Sequence, residues 1–270
     1  MGRVQVLVAT MNQSDFSKLT EMNIQTDVVF ANQANDDTCS EIEFDNHLAK
    51  MITTATRGVG INRNIALENA SNEIVLIADD DIEYVNDYEK IVLSYFDAIP
   101  KADAFIFNIE SFGTDMHRRL NRKVARVRFF NSMNYGAVRL AVRLDSINKN
   151  NIRFNTNFGG GTMYSSGEDS LFIADMLKNK MKIYVCPSTI AVVDQTDSSW
   201  FRGYNDKYFY DKGALFNALC GRFAILMCLQ DLIRHYWIYR NGDNRFFRIL
   251  KLEMQGVRGY RDLKPYKGGQ

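Results

Sequence analysis

Apolar positions along this chain gather into short β-branched runs set between stretches of helical spacing. VQVLVAT (Val4–Thr10), DVVFANQ (Asp27–Gln33), EIVLIA (Glu73–Ala78) and ADAFIFNIE (Ala102–Glu110) read as strands. RNIALENA (Arg63–Ala70) has helix-forming composition, and DYEKIVLSYFDAI (Asp87–Ile99) has a helical periodicity that stops at Pro100. Strand, helix and strand at this spacing predict an α/β fold on a mostly parallel sheet. In such sheets ligands bind beyond the carboxyl ends of the strands. Those ends carry Thr10, Asn12, Asn32 and the triplet Asp79, Asp80 and Asp81.

Farther along, the pattern loosens. Arg118–Asn157 is irregular and rich in Arg, Asn and Phe. FGGGTMYSSGEDS (Phe158–Ser170) follows, and its consecutive glycines suit a turn or a backbone that closely approaches a ligand. EDSLFIADMLKNK (Glu168–Lys180) reads as a helix and KIYVCP (Lys182–Pro187) as a strand. Lys212–Tyr239 is long, apolar and helical; Asn241-Gly242-Asp243 breaks it, and Arg245–Met254 resumes an amphipathic helix. The expected organisation is one domain over residues 1–211 and a helical extension over residues 212–270.

Charge sharpens that division. Lys212–Gln270 holds eleven Lys/Arg against four Asp/Glu, whereas the remainder holds 22 against 28. A basic, aromatic tail on an acidic body suggests a polyanionic surface as partner, or a tail that packs on the body. Arg245, Arg248 and Lys251 alternate with Phe246, Phe247, Ile249 and Leu250, a pattern that suits an anionic membrane interface. The other reading is packing on the domain or on the second subunit of a homodimer. With 46% hydrophobic and 24% charged residues the composition is that of a globular protein, neither disordered nor collagen-like. No run of about 18 uncharged apolar residues appears, so no spanning helix is expected. The start goes straight into a strand-like run without a signal-peptide layout. Four cysteines (Cys39, Cys186, Cys220, Cys228) without metal-finger spacing suit reduced thiols in the cytoplasm.

The strongest chemical signal is IADDDIEY. Adjacent carboxylates repel one another, and a bound cation relieves that cost. Mg²⁺ or Mn²⁺ prefers oxygen ligands, often one or two carboxylates plus substrate phosphates. A solvated acidic turn is the plain alternative. Gly167-Glu168-Asp169-Ser170 opens a helix, where the macrodipole alone favours carboxylates. Asp169 could instead act as a general base. In RGVGINRN (Arg57–Asn64) the third glycine of a dinucleotide fingerprint is missing, and Arg63 stands there. Arg57 or Arg63 near a nucleotide's phosphates is the better reading. The histidines (His47, His117, His235) have no zinc-site spacing, and neither a G-x-S-x-G elbow nor a P-loop occurs.

Four segments in order carry a family resemblance: VLVATMNQ, RGVGINRNIALENASNEIVLIADDD, FGGGTMYSSGEDSLF and SSWFRGYNDKYFYDKGALF. From Val4 to Phe216 the chain resembles a family 2 glycosyltransferase of GT-A fold, of the bacterial kind that builds surface and capsular polysaccharides. The resemblance implies a Rossmann-like sheet flanked by helices. It implies that Asp79, Asp80 and Asp81 serve the nucleotide diphosphate and a divalent metal (Mn²⁺ or Mg²⁺), with Asp81 the first choice of ligand and Asp79 the second. It places Arg63 on the nucleotide side and Thr10 and Asn12 at the base and ribose; Asn32, by its strand end, and Arg57, by its segment, join them as donor-side candidates. Asp169 matches the expected catalytic base. Glu168, Gly160 and Gly161 fall on the acceptor side, and Trp200 matches an aromatic position near the acceptor or the diphosphate, with a core tryptophan the plain alternative. The first strand ends Ala9-Thr10-Met11-Asn12 where the family more often has P-x-Y-N. The implied activity is inverting transfer of a sugar from a nucleotide-sugar donor, a UDP-sugar first, to a hydroxyl of a saccharide or lipid-linked saccharide. The implied location is the cytoplasm or the inner face of its membrane. A metal-dependent nucleotidyltransferase and a non-enzymatic polyanion-binding protein are the alternatives. The acidic body argues against nucleic acid as partner.

Overall fold

The computed structural model describes residues 2–112, 120–194, 203–240 and 245–266. Among the described residues ten strands are formed: β1 (Val4–Met11), β2 (Asp27–Gln33), β3 (Thr38–Phe44), β4 (His47–Thr54), β5 (Ile74–Asp79), β6 (Ile82–Tyr84), β7 (Ala104–Phe112), β8 (Ala125–Arg126), β9 (Leu140–Arg143) and β10 (Ile183–Asp194). Eight α-helices accompany them among the same residues: α1 (Lys18–Glu21), α2 (Val59–Glu68), α3 (Tyr88–Ala98), α4 (Leu144–Lys149), α5 (Glu168–Lys178), α6 (Asp206–Cys220), α7 (Ala224–Tyr239) and α8 (Phe246–Arg261). Contacts divide the chain into two units, Met1–Thr156 with Glu168–Ser198, and Asn157–Gly167 with Ser199–Gln270. The boundary drawn from charge, between Asp211 and Lys212, falls inside α6.

The first unit holds one sheet in the order β3-β4-β2-β1-β5-β9-β7-β10-β6, with β8 paired to β10. β4, β2, β1 and β5 run parallel, as do β7 and β10, while β9 enters antiparallel between β5 and β7. The strand runs are apolar without interruption because both faces are covered. Alternate side chains point to opposite faces. Val4, Val6, Val8, Val28, Phe30, Leu76 and Phe105 pack with α3 residues Val92 and Phe96 on one side. Leu7, Val29, Ala31, Val75, Ile77 and Ile106 pack with Ala66 and Leu67 of α2 and with Phe172, Ile173 and Met176 of α5 on the other.

The hairpin β3–β4 at the sheet edge was not legible as strands. Its burial alternates in β4 and is absent along β3, so no apolar run marks it. α2 begins at Val59, four residues before the helix read from composition. Its Gly58 sits at φ 114°, a region open to glycine, and a Cβ at Gly60 would meet the Asn155 carbonyl oxygen at 2.6 Å. The Gly58-x-Gly60 pair thus serves the close packing of the α2 start.

The second unit is built on α6, α7 and α8. α6 and α8 cross with backbones nearly touching. A Cβ at Gly213 or Gly256 would lie 1.9 Å from the carbonyl oxygen of Glu253 or Tyr210 respectively. Taken as one stretch, Asp206–Tyr239 is 34 residues long and by length and composition apolar enough to cross a membrane. Arg222, Asp231 and Arg234 interrupt it, so it holds no uncharged run of spanning length. Gly221, at φ 53°, breaks the stretch into two helices.

Glu253 of α8 is wholly buried, with the Cys228 thiol beside its carboxyl. Burial, with Asp231 nearby, pushes its carboxyl up to about 8, against an opposing effect of Lys212. A folded-state pKa above the unfolded one costs stability as pH rises. The loss begins near the ordinary carboxylate pKa of 4.5 and is complete above about 8. Glu253→Gln is therefore expected to be less sensitive to pH than wild type over that window. Urea midpoints measured across it check this, and parallel pH profiles for the two proteins would refute it.

Candidate active site

β1, β2 and β5 are adjacent and parallel, and their registers pair Thr10 with Asn32 and Ala9 with Asp79. The carboxyl ends expected to carry the site therefore converge. Asp79 is the last residue of β5, and Asp80 and Asp81 form the turn into β6. Thr10 is buried and its hydroxyl bonds Asp80 Oδ2. Asn12 turns the chain at φ 54°, a region that Asn tolerates, and its N–H donates to the Gln33 carbonyl at 2.9 Å.

Three of the expected donor-side residues bond to the protein itself. Asn32 is wholly buried; it accepts from the Gln13 N–H at 3.0 Å and donates to the Gln13 carbonyl at 2.9 Å and to Thr53 Oγ1 at 3.0 Å. It pins the loop after β1 and presents no free amide to a nucleotide. Arg57 donates to the carbonyls of Ala34, Ala55 and Thr56 and to Asn35 Oδ1, so its guanidinium ties together the chain after β2 and β4. Arg63 is 4% exposed, and its guanidinium meets carboxylates.

Arg63 is the centre of the arrangement. Nη2 donates to Asp79 Oδ1 at 2.8 Å, and Nη1 donates to Asp169 Oδ1 at 2.6 Å and Glu168 Oε1 at 3.4 Å. Its guanidinium lies 5.3 Å from the Phe154 ring centroid, and Phe154 stacks on Phe172 at 3.9 Å. The three carboxylates raise the guanidinium's pKa further, against the effect of burial. Asp169 also accepts the Ala137 N–H on Oδ2 at 2.9 Å. A carboxylate offers about four lone-pair sites, so two accepted bonds leave room for a hydroxyl donor. Burial, with Asp169 adding to it and Arg63 opposing, pushes Glu168 up to about 7. Adjacent carboxyls thus divide: Glu168 keeps its proton up to about neutral pH, and Asp169 stands partly open at 27%.

Asp80 and Asp81 border an open cavity of about 210 Å³ with Lys18, Glu21, Glu83 and Asp194. Asp81 is exposed. Lys18 Nζ donates to the Asp80 carbonyl at 3.2 Å and pairs with Glu21 at 2.8 Å. No group of three His, Cys, Asp or Glu side chains among the described residues forms a ready metal cage. Hard divalent ions are often held by one or two carboxylates together with substrate phosphates. The oxygen donors of Asp80 and Asp81 fit an ion that arrives with a diphosphate.

The reading from sequence did not single out Lys18, Asp194 or Asn62. Lys18 and Asp194 reach the cavity only through tertiary folding. Asn62 donates to the Thr10 and Ala31 carbonyls at 3.1 and 2.7 Å, and its buried Oδ1 has no partner. An Asn following Gly58-x-Gly60 was visible, but nothing local tied it to β1 and β2. Gly160 and Gly161 lie in a turn of the second unit, where Thr162 Oγ1 donates to the Gly159 carbonyl at 2.9 Å. Trp200 lies outside the described residues.

A family model described as glycosyl transferase family 2 matches residues 22–163. No curated protein matches the chain. Among solved structures, S. aureus TarS 1–349 in complex with UDP-GlcNAc is similar over 98% of this chain and 93% of that one, with a TM-score of 0.61 and 15% identity. The same fragment in complex with UDP gives 0.60 and 16% over the same shares. A longer TarS structure gives 0.60 and 17%, covering 88% of this chain and 44% of that one. At these identities the likeness shows the fold, which is of the GT-A type.

Proposed function

We propose that this chain, which belongs to glycosyl transferase family 2, moves a sugar from a nucleoside-diphosphate sugar to an acceptor hydroxyl with inversion at the anomeric carbon. The observation that carries the reading is the meeting of Asp79 and Asp169 on the single guanidinium of Arg63. One of these carboxylates stands at the strand end where a donor would bind, and the other opens a helix with accepting capacity to spare. The resulting site has a donor side and a base side held in fixed relation. Binding both substrates there makes a bimolecular step effectively unimolecular.

Asp169 takes the proton of the acceptor hydroxyl as its oxygen attacks the anomeric carbon. The bond from that carbon to the diphosphate breaks as the new glycosidic bond forms on the opposite face. Glu168, its carboxyl raised to about 7, carries only part of a negative charge beside the base near neutral pH. Mn²⁺ or Mg²⁺, held by Asp81 with Asp80 or Asp79, would supply charge neutralisation of the leaving diphosphate when bound. Thr10 fixes the carboxylate of Asp80 for that role. UDP is the favoured nucleotide because UDP and UDP-GlcNAc occupy the TarS structures that share this fold. A saccharide, free or carried on a lipid, is the acceptor we favour.

Thermal shift with UDP, GDP and CDP, each with and without Mn²⁺, tests the reading. A ligand that binds only the folded state stabilises it by mass action. One nucleoside diphosphate is expected to raise the melting temperature, more so with Mn²⁺, and Asp81→Ala should lose the increment. A chain indifferent to all three diphosphates but stabilised by a nucleoside triphosphate would favour nucleotidyl transfer instead.

A further inference from the structure

We infer that α7 and α8 of the second unit form a docking face for the surface of an anionic phospholipid bilayer. α7 turns Ala224, Cys228, Leu232 and Tyr239 inward. Leu226, Ile233 and Trp237, spaced seven and four residues apart, share the opposite face of the helix. They are 61%, 74% and 67% exposed, and Phe223 just before the helix is 51% exposed. Arg222, Arg234 and Arg240 are exposed around this stripe. The one acid of α7, Asp231, is turned inward and paired with Lys212 at 2.7 Å.

α8 repeats the arrangement. Phe247 is 81% exposed, and Arg248, Lys251, Arg258 and Arg261 are exposed with it. Arg248 is already paired with Asp206 at 2.9 Å, and the only acid within the helix, Glu253, is wholly buried. Two successive helices therefore offer water bulky apolar groups and cations but no carboxylate of their own.

Charge alone would suit any polyanion. The aromatic and aliphatic side chains decide between partners. A soluble phosphate polymer has no apolar interior for them to enter, whereas an interfacial helix buries such a stripe among acyl chains while its cations meet headgroups. The arginines decide the orientation. Arg222 lies at the middle of the Asp206–Tyr239 stretch, and a charge at the centre of a bilayer is costly. The helices thus lie along the surface although Asp206–Tyr239 has the length and composition to cross. This inference stands on the second unit and does not rest on the donor chemistry.

Co-sedimentation of the full chain with phosphatidylcholine vesicles, with and without phosphatidylglycerol, tests it. Binding should need phosphatidylglycerol and fall at high salt, where exposed charges are screened. Lys251→Glu with Arg258→Glu should weaken it by about tenfold or more, since each basic residue near the surface contributes measurably. Ile233→Ser with Trp237→Ser should weaken it comparably. Circular dichroism and melting temperature must show both variants folded. Equal binding to neutral vesicles would overturn the inference. So would binding that resists carbonate extraction, which marks a crossing helix. Tight binding to inorganic polyphosphate, with vesicle binding untouched by the Ile233/Trp237 substitutions, would reassign the face to a soluble polyanion. A dimer lost on those same substitutions, without vesicle binding, would assign it to a second copy.

Discussion

Asp169→Asn is expected to lower sugar transfer by about 10³-fold while leaving nucleoside-diphosphate affinity nearly unchanged, the loss that follows removal of a general base. The substitution keeps the shape of the side chain and removes its capacity to take a proton. Its present neighbours, the Arg63 guanidinium and the Ala137 N–H, are both donors. An amide can offer its oxygen to only one of them, so the new side chain also sits less comfortably than the old. The donor side keeps Thr10, Asp79, Asp80 and Asp81, and nucleotide binding should hold. Initial rates of transfer and calorimetric titration with UDP and Mn²⁺ measure the two quantities separately. Transfer within about tenfold of wild type would remove Asp169 as the base, because general base catalysis rarely contributes less than about 10²-fold. A parallel loss of UDP affinity would move Asp169 to the donor side.

Arg63→Met should be the most damaging single change to the first unit. Removing one partner of a buried ion pair leaves uncompensated charge and costs about 3–5 kcal/mol. Here one guanidinium serves Asp79, Asp169 and a partly protonated Glu168, although Asp79 is 41% exposed and recovers part of its hydration. We expect about 3 kcal/mol at neutral pH. The cost should shrink toward low pH, where the carboxylates bind protons and need no counter-charge. Activity should be lost even under conditions where the variant is folded, because Asp79 and Asp169 are no longer tied to one group. Urea unfolding at several pH values, with transfer rates beside it, measures this. A variant as stable as wild type, or equally destabilised at all pH values, would show that Arg63 contributes by packing on Phe154 and not by charge.

The arginine also marks the limit of what could be read in advance. That a buried apolar strand ends in three aspartates was evident from order alone, and parallel α/β topology directs ligands to such ends. β1, β2, β5, α3 and α5 were legible because each carries a long periodic or continuously apolar signal. β3 was not, because an exposed edge strand lacks that signal. Asn32 suggests a nucleotide contact by its place at a strand end, and Arg57 and Arg63 by their place in RGVGINRN, with Arg63 also by family resemblance. The fold turns all three toward the protein: onto carbonyls, onto carboxylates and onto the Gln13 backbone.

The sequence by itself determined which chemistry is at hand. It set the carboxylates at a strand end, a second carboxylate pair opening a helix, and an amphipathic basic tail. Hydrophobic periodicity and strand order are local properties, so they survive without coordinates. Only the tertiary structure decided which groups share a space. Arg63 and Asp169 are 106 positions apart, and Lys18 and Asp194 lie farther apart still, yet each pair is brought to one site. Burial did the rest. It fixed Arg63 among carboxylates, raised Glu168 beside Asp169, and sorted the tail's residues into a packed face and an open one. A side chain's charge is written in the sequence; how much water surrounds it is set by the fold.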